Sequence, residues 1–259
     1  MSRWPEMASF YSDAVDGPGK TAESRVTEAL LNAVVLVSYD AGQGHLRPIT
    51  RIALDEAWAL QEITGRNAGG LKWQDFHLAP WESAESAYQG AALLAVALGN
   101  IPDHYTDGPD IGEHLWMLQE YLRRHYASQP VISQLYVLWA SGRMSGLLTD
   151  SERTKLSAKI KSLQQSDGGW VLSAVDESTR PRRFLLDRWK LLSRRAKSDG
   201  CATGLVVLAL EGSGMGRHSD PLKRGLEWLK RHHQKDGDSM GFSPNAQRDR
   251  VCRVSAGDR

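Results

Sequence analysis

The chain has 259 residues, with 32 Lys and Arg against 31 Asp and Glu and a formal net charge of +1. This length fits one large domain or two modest ones, and the balanced charge lacks the basic surplus that contacts with a nucleic-acid backbone require. We therefore expect no nucleic-acid partner. Two cysteines without a Cys-x-x-Cys pair exclude a disulfide framework and a cysteine-rich zinc site.

The predicted elements are almost all helices. Apolar residues recur at helical spacing, whereas alternating β-branched runs are nearly absent, so we predict an all-α fold. In chain order, the predicted helices cover residues 21–38, 49–63, 86–98, 112–126, 131–141, 150–164, 183–195, 202–211 and 221–233. We divide the chain into an N-terminal arm (1–20), a helical domain (21–242) and a polar tail (243–259) that we expect to be disordered.

The sequence also predicts where the chain resides. Its longest unbroken apolar run, Ala91–Leu98, is much shorter than the roughly 20 residues of a membrane-spanning helix. Pro5 and Glu6 interrupt the region where a signal peptide has its apolar core. We therefore expect a cytoplasmic protein.

A motif at the end of one predicted helix is repeated along the chain. Residues 163–170 read Leu-Gln-Gln-Ser-Asp-Gly-Gly-Trp, and Gln165, Asp167 and Gly168 recur 69 residues later as Gln234, Asp236 and Gly237. A looser copy upstream contains Gln61, the pair Gly69-Gly70 and Trp73. Such periodicity is typical of stacked helical hairpins. We expect Gln165, Trp170 and Gln234 to be scaffold residues, because a Gly-Gly turn, a helix-capping amide and a large apolar ring do structural work.

Residues 163–170 resemble the QW motif of the terpenoid cyclase and protein prenyltransferase superfamily, and the likeness spans roughly residues 21 to 242. It is closest to squalene-cyclase-like bacterial proteins, which the stretch Phe76–Glu82 also resembles. The resemblance implies an α/α toroid of helical hairpins. Because nine predicted helices are fewer than a closed ring of six hairpins requires, we expect the toroid to be open or incomplete.

Two carboxylates occupy matched positions before predicted helices. Glu85 and Asp199 each stand five residues before a glycine, Gly90 or Gly204, that opens a small apolar helix. In a toroid, both carboxylates would face the mouth of a central cavity. A carboxylate at a helix start also serves simply as a cap, worth about 0.3–1 kcal/mol, and the sequence leaves both interpretations open.

The segment from Trp73 to Tyr88 combines acids with aromatic residues. A cyclase that protonates an alkene needs a neutral, strongly donating acid and aromatic faces that shelter carbocations. The predicted catalytic residues are Glu85, Asp199, Glu82, Asp75 and His77, and the predicted substrate-binding residues are Trp73, Phe76, Trp81 and Tyr88. The alternative for the aromatic residues is that they belong to the core. The Asp-x-Asp-Asp acid motif of squalene-hopene cyclases does not occur in this chain.

The resemblance leads to three functional hypotheses. The first is a triterpene-cyclase-like isomerase, without a cofactor, that takes an isoprenoid or another long apolar molecule and touches a membrane surface to collect it. The second is a non-catalytic toroid used for binding or interaction. The third is a zinc-dependent prenyltransferase-like enzyme, since Asp199-Gly-Cys201 resembles that family's Asp-x-Cys motif. The third ligand, a later His, is missing, so we predict no metal and expect Cys201 to be a small buried residue.

Overall fold

The structure is a computed structural model that describes residues 10–176, 197–216, 219–232 and 246–247. Its helices are α1 (Asp13–Asp16), α2 (Lys20–Ala41), α3 (Pro48–Ala59), α4 (Ser86–Leu98), α5 (Pro109–His125), α6 (Val131–Ala140), α7 (Asp150–Leu163), α8 (Leu172–Val175), α9 (Gly200–Gly212) and α10 (Asp220–His232). Short 3₁₀ turns cover Tyr105–Asp107 and Tyr126–Ser128. Two-residue strands, β1 (Leu78–Ala79) and β2 (Ala246–Gln247), pair antiparallel, with Leu78 opposite Gln247. The predicted all-α class is confirmed.

The helix boundaries follow local signals. Thr149 caps α7 through a capping box, in which its side chain accepts from the N–H of Glu152 and the Glu152 side chain accepts from the N–H of Thr149. Helix α3 ends at Ala59, four residues before the predicted end at Ile63, because the chain turns there and Gln61 is used for a tertiary contact. The predicted helix over 183–195, the end of the predicted last helix at His233 and most of the predicted tail lie outside the described residues.

The first compact unit contains residues 10–77 and 82–127 of the described chain. Helix α2 packs against α3 and α4, and α4 packs against α5. Helix α4 is almost wholly buried. Its alanines, among them Ala91, Ala92 and Ala95, let neighbouring helices approach closely, and all three are fully inaccessible to solvent.

The second compact unit contains residues 78–81 and the described residues from 128 onward. Helix α6 packs against α7 and α9, and α9 packs against α10 and the short α8. Helix α9 is also mostly buried. Within the described residues, each unit thus has two helical hairpins joined through the first helix of each hairpin.

A glutamine brace ties the two hairpins of the first unit together. The Nε2 of Gln61 donates to the carbonyl oxygens of Gly69 (3.1 Å) and His114 (3.0 Å), and its Oε1 lies 2.6 Å from Nδ1 of His114. Gly69 has a positive φ of 93°, and a Cβ there would lie 1.9 Å from the carbonyl oxygen of Met117. Only glycine fits this turn against α5.

The second unit contains the same brace. The Nε2 of Gln164 donates to the carbonyl oxygens of Gly168 and Pro221, both at 2.9 Å. Gly168 has a φ of 98°, and a Cβ there would lie 2.9 Å from the carbonyl oxygen of Arg224 on α10. The two contacts of the first brace on α5, at His114 and Met117, are three residues apart. The two contacts of the second brace on α10, at Pro221 and Arg224, have the same spacing, so one tertiary arrangement occurs twice.

The tie between hairpins comes from Gln164 and not from its predicted neighbour Gln165. The Nε2 of Gln165 donates to the carbonyl oxygen of Leu163, the last residue of α7, which agrees with its predicted role as a helix-capping amide. Gln164 makes the tie because it follows α7 with an extended backbone (ψ 130°). The predicted second copy, with Gln234, Asp236 and Gly237, lies outside the described residues. The upstream copy is the structural counterpart.

Trp170 belongs to the core of the second unit. Its side chain is fully buried, and its Nε1 donates to the carbonyl oxygen of Ile160 at 2.9 Å. A Cβ at Gly225 would lie 2.8 Å from the Trp170 ring, so the indole lies against α10. The ring therefore connects α7 with α10, in keeping with its expected scaffold role.

Candidate functional site

A cavity of about 290 Å³ lies in the first unit, beside part of the predicted Trp73–Tyr88 segment. The lining side chains that carry charge or an aromatic ring are Glu23, Glu62, Lys72, Trp73, Asp75 and Tyr121. They come from α2, from the loop after α3 and from α5. Of the nine predicted site residues, Trp73 and Asp75 line this cavity.

Trp73 is held in place by α4. A Cβ at Gly90 would lie 2.4 Å from Cε3 of the indole, so the ring lies directly on the helix backbone where α4 has no side chain. The ring is half-buried. Gly90, predicted to open a close-packed helix, therefore provides the surface that orients an aromatic wall of the cavity.

Asp75 and His77 form a local turn. The N–H of His77 donates to Oδ1 of Asp75 at 2.9 Å, and Nδ1 of His77 lies 3.3 Å from the same oxygen. His77 has a positive φ of 60°, a conformation that side chains other than glycine adopt infrequently. Its ring is 74% exposed. The turn therefore directs the Asp75 carboxylate, and the imidazole remains in solvent.

Two residues at the start of α2, Lys20 and Glu23, hydrogen-bond to the backbone of Asp75 and so hold the Asp75–His77 turn. The ammonium of Lys20 pairs with Glu23 at 2.6 Å and also donates to the carbonyl oxygen of Asp75. The N–H of Asp75 donates to Oε2 of Glu23 at 3.1 Å. Phe76, a predicted substrate-binding residue, packs on Tyr11 with ring centroids 4.8 Å apart and lies 4.9 Å from the Lys20 ammonium. Phe76 thus fastens the segment before α2 to the loop.

Glu82 and Glu85 have different surroundings. Glu82 is half-buried, and burial raises the pKa of its carboxyl group. Glu85, the first choice as catalytic acid, is exposed. It occupies the N-cap position of α4 with helical backbone angles (φ −74°, ψ −17°) and makes no side-chain capping hydrogen bond. Glu85 therefore has neither the buried setting expected of a polyene-protonating acid nor the contact of a cap.

Tyr88 is a core residue. Its side chain is 2% exposed, and its hydroxyl donates to the carbonyl oxygen of Leu122 on α5 at 2.7 Å. This agrees with the alternative that some aromatic residues of the segment only fill the core.

Two predicted site residues, Asp199 and Trp81, belong to the second unit. Asp199 is the N-cap of α9. Its Oδ1 accepts from the N–H of Ala202 at 2.7 Å and its Oδ2 from the N–H of Leu172 at 2.6 Å, so both oxygens have backbone partners. The half-buried Trp81 meets Tyr136 edge to face, with ring centroids 6.1 Å apart. Asp199 follows the capping alternative, and Trp81 packs on a buried ring of its own unit.

The zinc hypothesis gains no ligand set from the structure. Cys201 is exposed, so the expectation that it is buried is wrong. Within the described ranges, no group of three or more His, Cys, Asp or Glu side chains is placed to hold a metal ion.

Several residues of the cavity were missed by the sequence analysis. Glu23, Glu62 and Tyr121 come from segments far apart in the chain, and none belongs to a motif. The signal that pointed towards them was the loose motif copy around Gln61, because its brace holds the 61–70 loop against α5.

No family model matches the chain, and the search of curated proteins found no significant match. No described helix is both long and apolar enough to cross a membrane.

Proposed function

We propose that the protein binds an isoprenoid or another long apolar molecule on a scaffold of helical hairpins. The observation that carries this proposal is an apolar stripe on α2, formed by Leu31, Val35 and Tyr39. Their exposed fractions are 40%, 64% and 57%. Solvent-facing apolar residues are ordinary when scattered, but an aligned set indicates a binding surface.

The stripe follows from the helical period. Residues four apart lie on one face of a helix, so these three side chains form a row. The residues two positions further along, Ala33 and Val37, are fully buried. The guanidinium of Arg47 lies 4.4 Å from the Tyr39 ring and marks the end of the stripe. Helix α2 thus has two apolar faces, of which one is buried in the first unit and the other is available to a ligand.

The duplicated braces support the resemblance on which the proposal also rests. In an α/α toroid, the first helices of successive hairpins line an apolar cavity. Helix α2 is the first helix of its hairpin and packs against α4, the corresponding helix of the next one. If the hairpins form a toroid, α2 is one of the helices that would line its cavity, and this supports the stripe as a surface for an apolar ligand.

Proton-initiated cyclisation of a polyene is the second candidate function. It is favoured by the half-buried position of the Glu82 carboxyl group. A carboxyl group whose pKa is raised by burial retains its proton to higher pH, as a general acid must. The exposed Glu85 and the doubly bonded Asp199 argue against their assignment as the acid. Binding without turnover is therefore the better supported function.

The binding proposal is tested with a fluorescent farnesol analogue titrated into purified protein. Val35→Asp places a charge in the middle of the stripe and should weaken binding at least about tenfold, because burying an unpaired carboxylate is costly. Ile63→Asp is the matched control, since Ile63 is 65% exposed and lies outside the stripe. It should bind like the wild type. No saturable binding by the wild type, or equal weakening by both variants, contradicts the proposal.

The catalytic candidate is tested separately. Squalene and shorter polyprenyl substrates are incubated with the wild type, Glu82→Gln and Glu85→Gln, and products are measured by mass spectrometry. Cyclised product that is lost only in Glu82→Gln would support an acid role for Glu82. The absence of product from the wild type would eliminate the candidate and leave the binding proposal standing.

A further inference from the structure

The cavity of the first unit is lined by charged residues, unlike the apolar stripe on α2. Three carboxylates, those of Glu23, Glu62 and Asp75, line about 290 Å³ together with one ammonium, that of Lys72. Trp73 provides an aromatic wall. A volume near 300 Å³ is at the lower end of small-molecule sites.

The Tyr121 side chain provides a polar group at the cavity. The residue is 7% exposed, its hydroxyl has no hydrogen-bond partner among the described residues, and the hydroxyl oxygen is not one of the buried unsatisfied atoms, so it reaches the solvent at the cavity that Tyr121 lines. A Cβ at Gly70 would lie 2.9 Å from Cζ of Tyr121, so the hydroxyl end of the ring lies beside a glycine that also lines the cavity. A hydroxyl that is open to the cavity and has no partner within the described residues is available to a ligand there.

The charges around the cavity favour a cation. Lys20 pairs with Glu23 at 2.6 Å and offsets its charge, and Lys72 is exposed. Glu62 is half-buried, and no described cation lies within ion-pair distance of its carboxylate. Burial, together with the negative charge of Glu62, raises the pKa of Tyr121 to about 12. The hydroxyl therefore stays neutral at physiological pH and can accept a hydrogen bond from an ammonium group that also meets Glu62.

Backbone hydrogen bonds beside the Gln61 brace hold Glu62 in place at the cavity. The N–H of Glu62 donates to the carbonyl oxygen of Gly70 at 2.9 Å, and the N–H of Gly69 donates to the carbonyl oxygen of Glu62 at 2.6 Å. These bonds use only the backbone of Glu62, so its side chain remains available. Preorganised groups bind a ligand at a lower entropic cost than mobile ones.

We propose that this cavity binds a small organic amine, with its ammonium group between Glu62 and Tyr121 and its apolar body against Trp73. Ammonium groups are attracted both to carboxylates and to the faces of aromatic rings. The site is distinct from the stripe on α2, so each proposal can fail without the other.

The probe is phenethylamine, compared by isothermal titration calorimetry with 2-phenylethanol, its neutral isostere. The amine should bind saturably, and the alcohol at least about tenfold more weakly. Binding of the amine should also weaken as salt is added, because screening reduces charge attraction. Equal binding of the two compounds, or no saturable binding of the amine at millimolar concentrations, overturns the proposal.

Two variants locate the binding. Glu62→Gln removes the charge and should lower the affinity for the amine at least about tenfold. Tyr121→Phe removes only the hydroxyl and should lower that affinity about fivefold. Glu56→Gln, a half-buried glutamate of α3 outside the lining, is the matched control and should bind like the wild type. Circular dichroism establishes that each variant is folded. Unchanged affinity in Glu62→Gln, or equal weakening in Glu56→Gln, refutes the assignment.

Discussion

Two glutamines show how a single side chain can join two hairpins. Gln61 and Gln164 each use one amide nitrogen to satisfy a carbonyl oxygen in a glycine turn and another on a neighbouring helix. The motif in the sequence predicted a scaffold glutamine at position 165, whereas Gln164 makes the tie between hairpins. That choice depends on backbone direction after the last helical residue, which residue types alone do not determine.

The two neighbouring glutamines provide a matched test. Gln164→Ala leaves the carbonyl oxygens of Gly168 and Pro221 without this donor and should lower the free energy of unfolding by about 1–3 kcal/mol. Gln165→Ala removes only the local bond to Leu163 and should cost less than about 1 kcal/mol. Urea denaturation of both variants measures the difference. A larger loss in Gln165→Ala would return the role to the predicted residue.

The helices were predictable from the sequence, but the candidate site was only partly predictable. Helix α4 was predicted at its observed bounds, Ser86–Leu98, because a continuous apolar pattern lies between Glu85 and Gly99. The matched positions of Glu85 and Asp199 did not predict their different environments. Asp199 has an extended backbone that lets its carboxylate reach the helix start, whereas Glu85 is already helical. Tyr121 itself belongs to no motif, because its position at the cavity comes from packing between distant segments.

The connection between α2 and α3 is held by a buried carboxylate, that of Asp40. Its Oδ2 accepts from the N–H of Arg47 (2.9 Å) and the hydroxyl of Thr50 (2.6 Å), and its Oδ1 accepts from Nε of Arg47 (2.5 Å). Burial opposes ionisation of Asp40, but the hydrogen bonds from Thr50 and Arg47 and the charge of Arg47 outweigh it and lower its pKa. The ionised form thus stabilises the helix connection.

This lowered pKa predicts a pH dependence of stability. Because the folded pKa lies below the unfolded value of about 3.9, the contribution of Asp40 is complete above that value and is lost as the pH falls through the folded pKa. Asp40→Asn should lower the free energy of unfolding by about 2 kcal/mol at pH 7. The difference in unfolding free energy between this variant and the wild type should become smaller as the pH falls. Urea denaturation from pH 7 to pH 3 measures both effects.

Asp55→Asn, which removes an exposed carboxylate of α3, is the control for this series. Its effect on stability should be small at pH 7. If the difference between Asp40→Asn and the wild type stays constant down to pH 3, the assigned role of Asp40 is wrong.

The described part of the chain repeats one arrangement of helices. Both units place two hairpins side by side, and both close them with a glutamine, a glycine of positive φ and a helix backbone. One turn beyond each brace, an aromatic ring meets a histidine, Tyr121 with His125 and Trp228 with His232. The toroid that the resemblance implies remains a prediction.

The two braces share no contact partner, so their effects should add. The double variant Gln61→Ala with Gln164→Ala should lose the sum of the two single losses in unfolding free energy, to within about 0.5 kcal/mol. Urea denaturation of the wild type, both single variants and the double variant completes the cycle. A clearly smaller or larger loss would show that the braces are energetically coupled.

The brace of the first unit should also slow the local opening of the Gly69 turn. Because Gln61 bonds to the carbonyl oxygens of both Gly69 and His114 on α5, the Gly69 turn cannot leave that helix without breaking these amide bonds. The N–H of Gly69, itself bonded to the carbonyl oxygen of Glu62, should therefore exchange with deuterium only in openings that also release the loop from α5. A surface loop would then be as slow to exchange as the helix behind it, and the amine cavity would keep its shape between binding events.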